Sequence, residues 1–206
     1  MTNIVLLRHG QSEANVSRDF ACLFDTPLSP LGRQQAEAVA DYLVGRVPVT
    51  RIYASPLSRA TDTARPTAER LGLSITPDAG LIEIDAGDWE NKPSAELAEK
   101  DEMFRRWYTD LTAVTCPGGE SVKELYDRVT ETLLRLARKH DGETLLLASH
   151  WTPIAAMLAF ARGAGFLGMR EPIHIHNASL HFLRFEEDKL TLEHPFFTEH
   201  LTTATE

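Results

Sequence analysis

At 206 residues, with 43% hydrophobic and 25% charged side chains, the chain is long enough for one well-buried domain and short for two. Its 30 acidic and 21 basic residues leave a net charge of −9, which argues against nucleic acid or an anionic membrane surface as the main partner. The longest apolar run, around Ile154 to Ala161, is too short to span a bilayer, and the N-terminus carries no signal-peptide pattern.

In chain order, Asn3-Ile4-Val5-Leu6-Leu7 predicts a buried strand of a parallel sheet. It runs straight into Arg8-His9-Gly10, which would project from the strand's carboxyl end, where α/β folds keep their ligands. Arg8 offers a permanently charged fork of donors for a phosphate or carboxylate. His9 can attack or move a proton near neutral pH, and Gly10 permits a close approach that a Cβ would block. Ser29-Pro30 predicts a capped helix carrying Leu31, Gln35, Val39 and Leu43 on one face. Arg51-Ile52-Tyr53-Ala54 predicts a second strand. Ser55-Pro56 then predicts a helix start, with Ser55 as N-cap, Arg59 in the first turn, and Pro66 kinking or shortening the helix.

Pro93 to Tyr108 predicts a charged helix followed by a loop from Asp110 to Gly119, an excursion at about 85–120 expected to roof a pocket. Ser121 to Lys139 predicts a long helix whose stripe is Val122, Leu125, Tyr126, Val129, Leu133 and Leu136. Thr144 to Ala148 reads as a third buried strand ending in Ser149-His150-Trp151. Thr152-Pro153 then predicts a cap and a proline opening the apolar helix Ile154 to Phe160. Ser179 to Phe185 and Lys189 to Glu193 predict a closing hairpin. This order implies one domain, 1–206, built on a largely parallel sheet with helices on both faces and an antiparallel edge.

Each of the three strand–helix junctions sets a residue suited to phosphate beside a helix N-terminus, whose unpaired N–H groups and dipole favour an anion. With the three strands as neighbours in one sheet, Arg8, His9, Arg59 and His150 converge on one pocket. Cys22 and Cys116 fit no metal or redox spacing, so a reducing, cytoplasmic setting is expected. His174 and His176 would share one strand face. With no further ligand in view they read as packing or hydrogen-bonding residues, and no metal is expected. Asp85 and Glu90 read as structural or surface carboxylates.

Six blocks in fixed order resemble the histidine phosphatase superfamily, the phosphoglycerate-mutase-like proteins. They are Arg8-His9-Gly10, the segment Leu28 to Ala36, the second-arginine block Ser55 to Ala64, the acid block Leu81 to Glu90, the loop Pro117 to Ser121, and Ser149-His150. They run from Ile4 to about Leu183. The resemblance implies an α/β three-layer sandwich with a mostly parallel, mixed sheet. It also implies a metal-independent phosphomonoesterase, a phosphoric monoester hydrolase acting on a small phosphorylated metabolite through a phosphohistidine at His9. On that reading Glu83, from the acid block, is the proton donor. Arg8, Arg59 and His150 hold the phosphate, with Ser12 and Asn15 as further donors. No cofactor is required, and a homodimer is left open.

The alternative within the same chemistry is a bisphosphoglycerate-dependent phosphoglycerate mutase. The short middle segment favours hydrolysis over it. A catalytically silent binding protein on the same fold is the other alternative. Two positions depart from the family pattern. Trp151 follows the second histidine where glycine is usual, and it could wall the pocket or stack on a substrate. Asn91 follows Glu90 in place of glycine and can adopt the left-handed backbone that glycine favours.

Overall fold

Alternation of side chains along buried strands decides which helices cover which face of the sheet. In a computed structural model that describes residues 1–201, β1 (Thr2–Arg8), β3 (Arg51–Ala54), β4 (Ile75–Pro77) and β6 (Thr144–Ser149) run parallel, and β7 (Leu180–Glu186) and β8 (Lys189–Phe197) are antiparallel. The sheet order is β4-β3-β6-β1-β7-β8. Residues 202–206, the end of the expected domain, lie outside the described residues. Val5, Leu7, Ile52, Ala54, Leu146 and Ala148 point to one face, where α2 (Pro30–Leu43) and α3 (Ser58–Leu71) pack with Val39, Leu43, Ala60 and Ala64. Ile4, Leu6, Tyr53, Leu145 and Leu147 point to the other, against Leu125, Val129 and Leu133 of α6 (Val122–Lys139) and Ile154 of α7 (Trp151–Ala161). The expected three-layer α/β sandwich with an antiparallel edge is the architecture found. Among the described residues no helix is long and apolar enough to cross a membrane.

β1 and β6 are adjacent and parallel, with Arg8 opposite Ser149, yet their following helices go to opposite faces. That divergence opens a crevice at the strands' carboxyl ends, the usual ligand position in such sheets. A short helix, α1 (Glu13–Ser17), and a two-stranded bridge of β2 (Asp19–Phe20) with β5 (Lys92–Pro93) lie beyond the sheet.

Several local expectations are corrected. α3 begins at Ser58, not after Ser55. The side chain of Asp25 accepts the Ser58 N–H at 2.9 Å and supplies the cap from a distance. Pro66 neither ends nor shortens α3, which runs on to Leu71. α7 starts at Trp151 with His150 as N-cap. Pro153 therefore falls within the first turn, where a missing N–H costs no helical hydrogen bond. The expected helix over 93–108 is two helices, α4 (Ser94–Lys100) and α5 (Glu102–Thr109). They break at Asp101, whose carboxylate accepts Phe104 N–H at 3.1 Å and Trp89 Nε1–H at 2.7 Å. His174 and His176 lie in an irregular segment before β7 and not on a strand.

Gly10 serves a packing contact. A Cβ there would sit 2.6 Å from the carbonyl oxygen of Gly32, and one on Gly32 would come closer still to Gln11 O. The N-terminus of α2 is thereby clasped to the loop that leaves His9. Gly32→Ala should cost about 1–3 kcal/mol through this overlap. A drop of several degrees in Tm checks it, and an unchanged Tm would show that the clasp yields freely.

Candidate active site

The crevice between β1 and β6 narrows to a cavity of about 150 Å³ lined by Arg8, His9, Ser12, Asn15, Arg59 and Glu83, with Phe20, Trp107 and Trp151 at its sides. Seven of the eight expected site residues thus meet there. The eighth, His150, lies behind the wall.

His9 is 5% exposed. Its Nδ1 lies 2.7 Å from the Gly10 carbonyl oxygen. A carbonyl only accepts, so Nδ1 carries the proton and Nε2 keeps a free lone pair. Burial, more than the neighbouring Arg8 and Arg59, holds the imidazole well below its ordinary pKa and therefore neutral at pH 7. The like-charge effect expected from the sequence is present but second to desolvation. The ring's backbone is braced by Ala178 N–H and Asn177 Nδ2, each 3.1 Å from His9 O, and by its own N–H on Ser149 O at 3.0 Å.

The two guanidinium groups are held by carbonyls, not carboxylates. Arg8 Nη1 donates to Ile175 O at 2.8 Å, and its Nε is buried without a partner among the described residues. Arg59, 2% exposed, donates to Cys22 O and to Phe24 O, the latter at 3.2 Å. Asp25 stands 3.9 Å away. Burial lowers Arg8 to about 10 and lowers Arg59 as well, and both stay cationic at neutral pH. Neutral carbonyls orient these cations while leaving their charge for an anion.

Glu83 is 8% exposed and sits between two 3-10 turns, Ala79–Leu81 and Gly87–Trp89, off any strand. Its carboxylate accepts Ile84 N–H at 2.9 Å and Thr152 N–H, in the first turn of α7, at 3.3 Å. Those donors and Arg59 favour the charged form. Burial outweighs them and raises the pKa above 4.5.

Ser12 and Asn15 form a reciprocal capping box on α1: Ser12 N–H donates to Asn15 Oδ1 at 3.0 Å and Asn15 N–H to Ser12 Oγ at 3.3 Å. Asn15 Oδ1 also accepts from Asn177 Nδ2 at 3.1 Å. His150 is fully buried, shares a 2.7 Å hydrogen bond through Nε2 with Ser55 Oγ, and packs on His9 with ring centroids 5.1 Å apart. Its Nδ1 has no partner among the described residues. Trp151, the first residue of α7, lines the cavity wall. Asn91 takes the left-handed conformation with φ 55°. Cys22 and Cys116 are buried thiols, with burial raising Cys116 to about 12 and Cys22 well above its usual value.

Residues 4–198 match the family described as histidine phosphatase superfamily (branch 1). The chain belongs to that superfamily. It is 39% identical over 188 residues to the bifunctional protein Rv2228c of Mycobacterium tuberculosis, covering 91% of this chain and 51% of that one. It therefore spans about half the length of that relative. Phosphoserine phosphatase 1 of Hydrogenobacter thermophilus is 35% identical over 188 residues, covering 91% of this chain and 88% of its own. The solved structure of Bacillus stearothermophilus YhfR superposes with a TM-score of 0.92 at 25% identity, over 98% of this chain and 100% of that one.

Three residues of this superfamily member escape sequence reading. Arg128 of α6 commits its whole guanidinium: Nε and Nη2 fork onto Glu120 at 2.7 and 2.9 Å, and Nη1 and Nη2 donate to the carbonyls of Gly80, Ile82 and Glu83. It pins the turn that carries Glu83. Glu90, read as structural or surface, accepts the N–H groups of Cys22, Leu23 and Phe24 at 2.7, 3.1 and 2.9 Å, and so shapes the carbonyl clamp on Arg59. Ser55 engages His150. Glu90 had a sequence signal in its place beside Trp89 in the acid block, Ser55 in opening the second-arginine block, and Arg128 had none.

Arg128→Met should leave three carbonyls and a carboxylate without their donor. The expected outcome is a Tm lower by several degrees, and an unchanged Tm would show that the turn at 80–83 holds its place without Arg128.

Proposed function

We propose that the protein is a metal-independent phosphomonoesterase that hydrolyses a small phosphorylated metabolite through a phosphohistidine on His9. The observation that carries this reading is the neutral His9 Nε2 set in one cavity with two buried guanidinium groups and a carboxyl of raised pKa. His9 Nε2 attacks phosphorus as the ester P–O bond breaks. Arg8 and Arg59 take the charge on the phosphoryl oxygens, and Asn15 and Ser12 flank it. Glu83 gives its proton to the departing alkoxide oxygen. Water then attacks the phosphohistidine, Glu83 recovers a proton from it, and the P–N bond breaks to release phosphate. His150, expected to hold the phosphate, acts from behind His9 by packing on its ring, with centroids 5.1 Å apart. Residues 85–120 serve as the roof of a single domain, a role supported by Trp107 in the cavity wall. Two buried free thiols fit a reducing, cytoplasmic setting.

The chemistry fixes a pH profile. Glu83 acts as an acid only while protonated, so kcat/KM on alkyl esters should fall as pH rises through its raised pKa. Protonation of His9, well below pH 6.5, sets the acid limb. The two groups bound a bell-shaped profile, His9 on the acid side and Glu83 on the basic side. Glu83→Gln should cut alkyl phosphate turnover about 10²–10⁴-fold and abolish the basic limb, with p-nitrophenyl phosphate far less affected because nitrophenolate leaves without a proton. Identical losses on the two esters would remove Glu83 from the acid role.

The direct test of the reading is steady hydrolysis of p-nitrophenyl phosphate and alkyl phosphates without bisphosphoglycerate. Phosphoglycerate interconversion that requires bisphosphoglycerate, with no phosphate release, would favour the mutase alternative. Inertness in both assays would favour a silent binding protein.

A further inference from the structure

The phosphate cavity, at about 150 Å³, accommodates little beyond a phosphoryl group, so the alcohol part of a substrate must extend past its mouth. A second cavity, of about 490 Å³, has two lining residues in common with it. Trp107 and Trp151 line both, so the two hollows share an aromatic wall. Beyond the tryptophans the larger one is lined by Tyr108, Leu111, Met169 and Ile173. Its size and apolar surface are those of a small-molecule site. The shared wall is anchored. Trp107 meets Phe20 edge-on, with ring centroids 4.9 Å apart at 86°, and Trp107, Trp151 and Ile173 all pack against the core.

The charges of this second cavity are already committed. Arg170 forks onto Asp110, with Nε and Nη2 each 3.0 Å from a carboxylate oxygen, and its Nε also reaches Thr112 Oγ1 at 2.8 Å. Glu171 lies 3.6 Å from Arg162. A second phosphate or carboxylate on the substrate would thus meet an apolar wall and an arginine already paired.

Resting on the phosphatase reading above, we infer that the preferred substrate is the phosphate monoester of an alcohol bearing an uncharged, planar apolar group. That group lies in the second cavity against Trp107 and Trp151 while the phosphate sits at His9. Aromatic rings bury large area against such walls at little conformational cost. Esters whose alcohol carries a carboxylate are the disfavoured class.

The test compares esters with matched leaving-group chemistry, 2-(2-naphthyl)ethyl phosphate and ethyl phosphate, on the full-length protein, with phosphoserine and p-nitrophenyl phosphate alongside. The naphthyl ester should have a kcat/KM higher than that of ethyl phosphate by about tenfold or more, carried mainly by KM, and should exceed phosphoserine. Ile173→Asp and the exposed-site change Tyr108→Ala should each lower the naphthyl-to-ethyl ratio, which does not depend on the fraction of protein folded. A wild-type ratio near one, a ratio unmoved in both variants, or phosphoserine as the better substrate would overturn the inference while p-nitrophenyl phosphate turnover keeps the phosphatase reading intact. Loss of turnover on all four esters would overturn both.

Discussion

His9→Ala is expected to lower kcat by about 10⁴-fold or more, the scale on which removal of a covalent nucleophile acts in hydrolases. The fold should survive. Among the described residues the ring's one hydrogen bond is to its neighbour Gly10, and the backbone contacts that brace residue 9 do not use the side chain. The variant should also show a shallower loss of stability in acid. In wild type the folded pKa of His9 is depressed, so below about pH 6.5 the unfolded chain takes up a proton that the folded one does not. Stability contributed by the neutral ring is present above that value and lost as pH falls. Urea midpoints at pH 7 and pH 5 for both proteins measure this, and parallel acid losses would contradict the depressed pKa. Retention of full activity in His9→Ala would remove it from the chemistry.

Arg59→Ala should reduce kcat/KM about 10²–10³-fold, and by the same factor on alkyl and nitrophenyl esters, because the charge it stabilises sits on the phosphoryl group common to all of them. Lysine should not rescue it. The guanidinium fork is oriented by two carbonyls, Cys22 O and Phe24 O, and a point-charge ammonium cannot meet both and still face the cavity. A loss smaller than tenfold, or one that tracks leaving-group pKa, would assign the charge stabilisation to Arg8 alone.

The strands β1, β3 and β6 were legible because a strand buried on both faces reads as an uninterrupted apolar run, and the residues that end such runs must emerge at the sheet's edge. Arg8, His9 and the β6 terminus follow from that rule. Arg59 was legible through its distance from Ala54. The helix starts at Ser58 and Trp151 were not, because the groups that satisfy their N-termini, Asp25 and Glu83, come from elsewhere in the chain. Arg128 reads as an ordinary charge beside the apolar stripe of α6. Its five hydrogen bonds close only when the loops at 80–83 and 120 fold against it. The pair of blocks around Gly87 and Gly119 matched the family pattern without revealing that each packs on the other: a Cβ on Gly87 would overlap Gly119. His150 was expected in the cavity and lies behind it, because its partner Ser55 draws the ring inward instead of capping α3.

Phosphoryl transfer to His9 is the step on which the whole account depends. Rapid mixing of wild type with a ³²P-labelled phosphomonoester, followed by alkaline quench and digestion, should recover label on the peptide carrying His9, stable to base and lost in acid. His9→Ala treated in the same way should recover none. Label that is absent from wild type during turnover, or that survives acid on a serine or a carboxylate, would contradict the mechanism.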